Sequence, residues 1–182
     1  MTQIISAVPE RHLLTSLDLV YEVFTEHENE QEGSLVRRLT EEIRASENYV
    51  PSLDLVTLDE SDNVIGYAMF SDFSLEGRYS GKLLLLSPVA VKTRFQRQHI
   101  SKRMLEYGFE QAIALGYEAV IVEGNPANYR SRGFVTSADH GIVPGENLHL
   151  PHIDCLMVKE LKKGALKDIH GAVEYPYKAL KE

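Results

Sequence analysis

The chain has 182 residues, of which 43% are hydrophobic and 25% charged, and its formal charge is -8. These proportions exclude a disordered or fibrous polymer, the length suits one domain with its own core, and the acidic balance argues against nucleic acid as the main partner. Cys155 has no second cysteine to pair with and reads as buried and inert; residues 1–9 lack a signal-peptide pattern and no apolar run approaches the ~20 residues of a bilayer span, so a cytoplasmic protein with no membrane partner is expected.

In chain order, residues 3–7 alternate weakly and predict a short strand closed by Pro9. A helix is predicted over residues 10–25, where Leu13, Leu17, Val20 and Phe24 recur at helical spacing. The Glu-rich stretch 26–33 reads as a loop, and Leu35, Leu39 and Ile43 mark the stripe of a second helix. Two β-rich runs, 53–58 and 64–73, flank the polar cluster Asp59-Glu60-Ser61-Asp62-Asn63 and predict an antiparallel pair. The run 82–91 is almost wholly apolar, as expected of a central strand buried on both faces, with Pro88 marking a bulge or a break in pairing.

A helix is predicted over residues 99–115, with Ser101, Met104, Leu105, Gly108, Phe109, Ala112 and Ile113 on one face and Gly116 as its stop. The short strand 118–122 then completes a strand, crossover helix and strand, which predicts a parallel pair. Residues 125–132 read as a loop with a brief helix, 133–137 as a strand, 138–152 as a long polar loop, 153–161 as the last strand and 162–182 as a tail.

Although the chain holds 27 acidic residues, none lies between Glu76 and Glu106, and that interval carries Arg78, Lys82, Lys92, Arg94, Arg97, Lys102 and Arg103. A local basic patch on an acidic protein suits a compact anionic ligand. The patch includes a strand ending Pro88-Val89-Ala90-Val91, a basic loop, and Gln96-Arg97-Gln98-His99-Ile100-Ser101 opening a helix. A helix start leaves amides unpaired and carries partial positive charge, so it can receive a pyrophosphate. Where Pro88 disturbs the strand, the backbone groups of Val89 and Val91 become available to an extended ligand with amides of its own, such as a pantetheine arm.

Taken with Tyr129-Arg130-Ser131-Arg132-Gly133-Phe134 and the preceding Asn125, these motifs resemble, in order and spacing, those of the GNAT-superfamily N-acetyltransferases. The resemblance spans about residues 3–161, and Gly164-Ala165-Leu166, Gly171 and Tyr175-Pro176 are similar to a bacterial YhbS-like subgroup. It implies an α/β fold with a central mixed, mostly antiparallel sheet, splayed between two strands and flanked by helices. It further implies a domain over residues 1–161 and an extension, 162–182, packed on it.

The same resemblance implies acetyl-CoA as cosubstrate, with no metal, and a primary amine on a small molecule as acceptor; a homodimer is left open. Backbone groups of Val89, Ala90 and Val91 would bond the pantetheine and the thioester carbonyl, those of Arg97, Gln98, His99, Ile100 and Ser101 the pyrophosphate, and Gln96 and Asn125 would complete the cofactor set. The implied mechanism is direct attack of the amine on the thioester, with Tyr129 as the acid that protonates the leaving thiolate.

Two departures stand out. His99 and Ser101 fill both glycine positions of the phosphate loop, and residues 83–86 supply no carboxylate to serve as general base. Glu123, Glu32, His27 or a water chain are the open alternatives for the base. The altered phosphate loop and the missing base give some weight to an alternative, a non-catalytic acyl-CoA sensor or a protein-interaction module on the same fold. Glu22, Glu26, Glu28, Glu30 and Glu32 would draw a cationic amine if they border the acceptor cleft, though they also suit a solvated face. His140, His149 and His152 with Asp139 and Asp154 lack the spacing of a metal site.

Overall fold

The computed structural model describes residues 1–181, which form two compact units. The first comprises residues 1–71, 87–111 and the chain from Tyr177 onward; the second comprises 72–86 and 112–176. The fold is mixed α/β, built on a mostly antiparallel sheet flanked by helices. No described helix is long and apolar enough to cross a membrane.

In the first unit, β1 (Gln3–Ser6) pairs antiparallel with β2 (Asp54–Leu58), and β2 pairs antiparallel with β3 (Val64–Leu75). The end of β4 (Arg78–Val91) lies beside the start of β3, where the Lys92 amide donates to the Ile65 carbonyl at 2.9 Å. Helices α1 (Glu10–His27) and α2 (Glu30–Arg44) are parted by two residues, not by the predicted eight-residue loop, because Asn29 caps α2 by accepting from the Glu32 amide at 2.9 Å. The buried stripe of α2 is Val36, Leu39 and Ile43, so Val36 takes the inner place expected of Leu35.

Side chains alternate across a strand, and β2 uses both faces. On one, Leu55 and Thr57 meet α3 (Ile100–Ala114): a Cβ added to Gly108 would fall 2.3 Å from Phe70 and 3.3 Å from Leu55, and Thr57 contacts Met104 at 3.4 Å. Only a glycine at 108 lets the helix approach this closely. Within α3, Met104, Leu105, Phe109 and Ala112 are buried, but Ile113 is 52% exposed and leaves the inner face expected for it.

On the other face stands Asp54, fully buried, with three side chains converging on it. Arg44 Nε donates to it at 3.0 Å, the Tyr49 hydroxyl at 2.7 Å and the Tyr67 hydroxyl from β3, while the Arg44 guanidinium lies 5.2 Å from the Tyr67 ring centre. Arg44 Nη2 also donates to Ser16 Oγ of α1 at 2.9 Å. Burial works against the charge on Arg44, but its neighbours Tyr67 and Asp54 outweigh that and hold its pKa above the ordinary value. Burial, helped by Asp54, pushes both phenols up, so they remain proton donors to the carboxylate. The end of the chain docks on α2: Glu42 accepts from the Lys178 and Ala179 amides at 2.7 and 3.0 Å, and Tyr177 is buried.

In the second unit, the β3–β4 hairpin turns at Glu76 and Gly77, both at positive φ. β4 begins at Arg78, four residues before the predicted start at Lys82. Its first residues are polar and mostly exposed, and they are held by the backbone and by Asp72, which accepts from Ser80 Oγ at 2.8 Å, the Gly81 amide at 2.7 Å and the Tyr117 hydroxyl at 3.0 Å. As the crossover predicts, β4 pairs parallel with β5 (Ala119–Glu123), with Leu83–Leu85 against Ala119–Ile121.

Next to β5 lies β8 (Leu156–Glu160), antiparallel, and beyond it the two-residue β6 (Val135–Thr136). Gly133 and Phe134 fall outside β6 because Gly133, at φ 87°, ends a 3-10 turn. The polar stretch 138–152 and the tail each contribute a strand that was expected of neither: β7 (Ile142–Pro144) pairs parallel with β9 (Gly171–Val173). Cys155 is half-buried rather than buried.

Removing Asp54 strands the Arg44 guanidinium, whose side chain is only 12% exposed. Breaking a buried pair from one side costs about 3–5 kcal/mol. Asp54→Ala should therefore lower the urea midpoint by that free energy, whereas Asp18→Ala, which removes a half-exposed partner of Arg37, should cost about 1 kcal/mol or less.

Candidate active site

The strand end and loop of the first unit are fixed by one apolar cluster, in which Ile65, Val91 and Ile100 are buried and Phe95 packs against them. Phe95 thus pins the middle of the basic loop to the core, and Arg94 stacks on its outer side with the guanidinium 4.9 Å from the ring centre. The end of α1 holds the loop as well. Thr93 Oγ1 donates to the Glu26 carboxylate, and Gln96 Nε2 donates to the Val91 carbonyl at 3.0 Å and lies 2.9 Å from His27 Nε2. Glu26 and His27, considered above for the acceptor and for the base, here brace the loop.

The first bond of α3 runs from the Arg103 amide to the His99 carbonyl at 3.0 Å. Helix geometry puts the positive end of the α3 dipole at this turn. Just before it, Arg97 and His99 adopt the left-handed region at φ 61° and 60°. Excursions of this kind turn successive N–H groups toward one side, as in anion-binding nests. His99 therefore keeps the conformation for which glycine is favoured, and histidine is among the non-glycine residues that tolerate it best. Arg94, Arg97, Gln98 and His99 are exposed, Ser101 is half-buried, and Ala90, Val91 and Ile100 are buried, so what Ala90 and Val91 offer a ligand is backbone.

The remaining sequence-predicted residues, Asn125 and Tyr129, belong to the second unit. The Asn125 side chain accepts from the Ala127 amide at 3.0 Å and caps the single turn α4 (Pro126–Tyr129). Tyr129, half-buried, meets Phe134 edge to face with ring centres 5.5 Å apart. Its ring lies over Gly124, where an added Cβ would fall 2.7 Å from Tyr129 Cε2. Burial pushes the Tyr129 phenol up, and the nearby Arg132 charge works against that.

Sequence reasoning assigns no contact to Tyr175, whose hydroxyl donates to Glu123 Oε2 at 2.7 Å. The pair Tyr175-Pro176 carries part of the subgroup resemblance, yet no spacing rule links residue 175 to residue 123; the contact exists because β9 pairs with β7 and returns the tail to this unit. Among the described residues no group of three His, Cys, Asp or Glu side chains is placed to hold a metal ion. His152 Nδ1 instead accepts from the Asp154 amide at 3.2 Å, and Asp154 accepts from Thr136 Oγ1 at 2.7 Å.

Residues 17–138 match the model of the acetyltransferase (GNAT) family. A relative in Escherichia coli K12, described as the uncharacterized N-acetyltransferase YhbS, is 30% identical over 127 residues, which is 68% of this chain and 72% of the relative. The crystal structure of the Escherichia coli GNAT-family N-acetyltransferase YhbS in complex with CoA superposes with a TM-score of 0.82 at 25% identity, covering 100% of this chain and 92% of that one. A GNAT-family acetyltransferase from Brucella melitensis in complex with acetyl-CoA gives a TM-score of 0.73 at 20% identity, covering 98% and 97%.

The backbone at position 99 can be tested without any ligand. A β-branched side chain is a true outlier in the left-handed region, where the cost is about 1–2 kcal/mol. His99→Val should lower the thermal midpoint accordingly, whereas His99→Gly should melt at or above the unsubstituted protein.

Proposed function

Because the chain belongs to the GNAT acetyltransferase family, we propose that it transfers an acetyl group from acetyl-CoA to the primary amine of a small acceptor by direct attack. The observation that carries the donor half is the left-handed backbone at Arg97 and His99 opening α3, since it supplies the amide-lined turn at the positions the family uses for the pyrophosphate. The relatives crystallised with CoA and with acetyl-CoA support the same donor here. In this reading the amides from Arg97 to Ser101 hold the diphosphate, with Gln96 and Asn125 in the same set. Val89, Ala90 and Val91 bond the pantetheine arm and polarise the thioester carbonyl, whose developing oxyanion is stabilised by a backbone N–H.

Tyr129 serves as the acid. A phenol held above its ordinary pKa keeps its proton at neutral pH, and the thiolate that leaves in the transition state gains charge just where a donor lowers the barrier. The acceptor is read as a small cationic amine because Glu28 and Glu30 are exposed at the break between α1 and α2, close in sequence to Glu26, which bonds the phosphate loop. A carboxylate cluster there favours cations over anions.

Calorimetric titration with acetyl-CoA should give heat, and mixing the protein with acetyl-CoA and a panel of primary amines should release free thiol. A non-catalytic sensor would bind without release. Tyr129→Phe should lower kcat by about 100-fold or more while changing acetyl-CoA affinity less than threefold, a split expected of a group that acts in the transition state. Equal kcat in the variant would remove Tyr129 as the acid.

A further inference from the structure

The sequence leaves the general base open among Glu123, Glu32, His27 and water, and the second unit separates these alternatives. Glu123 is the last residue of β5, in register with Leu156 of β8, and its side chain is exposed. The next amide, that of Gly124, donates to the Cys155 carbonyl at 2.9 Å, which fixes the chain where it leaves the strand. Against Gly124 rests the Tyr129 ring. The ring of the acid in the proposed reaction thus rests on the glycine that follows Glu123.

The Tyr175 hydroxyl donates to Glu123 Oε2 at 2.7 Å, and the Tyr175 ring packs on Phe73 with centres 6.0 Å apart. Two residues earlier β9 ends, paired with β7, so the phenol hangs from a strand and not from a loose tail. Burial and the facing carboxylate both push the Tyr175 phenol up, and it remains a donor over the whole working range of pH. A carboxylate held by a half-buried phenol keeps a defined orientation at the end of β5.

We propose that Glu123, oriented by Tyr175, is the general base that removes a proton from the acceptor's ammonium group; this rests on the transferase reading above. An alkylammonium has a pKa of about 10 and carries no lone pair for attack at neutral pH. The carboxylate takes one N–H proton, directly or through one water, giving the neutral amine and the carboxylic acid. The nitrogen lone pair then forms the N–C bond at the thioester carbonyl, and the C–S bond breaks as the tetrahedral intermediate collapses. The thiolate takes its proton from Tyr129, and the tyrosinate recovers one from the former amine nitrogen, which becomes the amide. Glu123 returns its proton to water, so the net products are acetamide, CoA thiol and one proton. Tyr175 touches no reactant and is a positioning residue.

Among the described residues, the ionisable groups at this end of the unit include Glu123, the phenols of Tyr129 and Tyr175, the Arg132 guanidinium that acts on Tyr129, the Cys155 thiol, Glu174 beside Tyr175, and Asp154 with its neighbours His152 and Arg130. As the group that takes the proton, the Glu123 carboxylate sets the acidic limb of kcat/KM in this reading. The full chain should be assayed for thiol release from acetyl-CoA with spermidine, tyramine and Nα-acetyl-lysine between pH 5 and 10, with acetyl-CoA binding followed by calorimetry. Glu123→Gln should lower kcat/KM about 100-fold or more and abolish the acidic limb, with acetyl-CoA affinity unchanged. Glu123→Asp should recover part of the rate. Tyr175→Phe removes a bond that stabilises the carboxylate and should move the limb upward by about one pH unit. A Glu123→Gln protein within threefold of the original at every pH would place the base elsewhere and leave the transferase intact. Acetyl-CoA binding with no thiol release from any of the three amines would overturn both the base and the transferase, and loss of acetyl-CoA binding in the unsubstituted protein would overturn the donor itself.

Discussion

The buried carboxylate of Asp54 is the constraint from which the geometry of the first unit follows. It stands on β2 with no access to solvent, and its charge is matched by Arg44 at the end of α2 and by the phenols of Tyr49 and Tyr67. Through Ser16, Arg44 also reaches α1. One polar cluster therefore fixes both helices against the sheet at a defined height, which apolar packing by itself does less sharply. Buried ion pairs add little net stability over a hydrophobic replacement, and their value here is positional. At the far end of α1, Glu26 and His27 meet Thr93 and Gln96, so the placement of α1 is passed on to the loop before α3.

The second unit shows the same economy with different groups. Asp72 gathers Ser80, Gly81 and Tyr117 and holds the polar start of β4, while β5 gains its register from β4 on one side and β8 on the other. A strand held on both edges has little freedom at its end, and Glu123 and Gly124 occupy that end. The residues proposed for donor binding lie mainly in one unit and those proposed for proton transfer in the other. Each set is braced within its own unit, so each can be perturbed separately.

Much of the fold was legible because periodicity reports burial. The continuous apolar run Leu83–Leu86 is buried throughout, and the strand, helix and strand order of β4, α3 and β5 predicts the parallel pairing that occurs. What escaped was structure held by backbone and polar contacts. Arg78–Lys82 forms a strand with mostly exposed side chains, and β7 and β9, three residues each, are too short for a period to register. The break between α1 and α2 is shorter than predicted because glutamates suit a loop and the first turn of a helix alike, and Asn29 decides between them. Tyr129 could be named from Tyr-x-x-x-Gly-Phe, whereas Tyr175 acts on Glu123 across 52 residues, a distance no local pattern spans.

Position 99 shows why a motif can be degenerate without its geometry failing. Glycine in the phosphate loop contributes two separate things, access to the left-handed region and the absence of a side chain. His99 retains the first, with φ at 60°, and forgoes the second, with its side chain turned to solvent. The amide positions that a diphosphate would meet are set by backbone torsions, so an exposed imidazole need not obstruct them. Ser101 differs in kind, since it stands within α3, where a small residue suffices for close packing and no special torsion is required. The two departures from the glycine pattern therefore carry unequal weight: the second is a matter of volume, and the first places conformational cost at the entrance of α3, where the backbone must already be turned before a phosphate arrives.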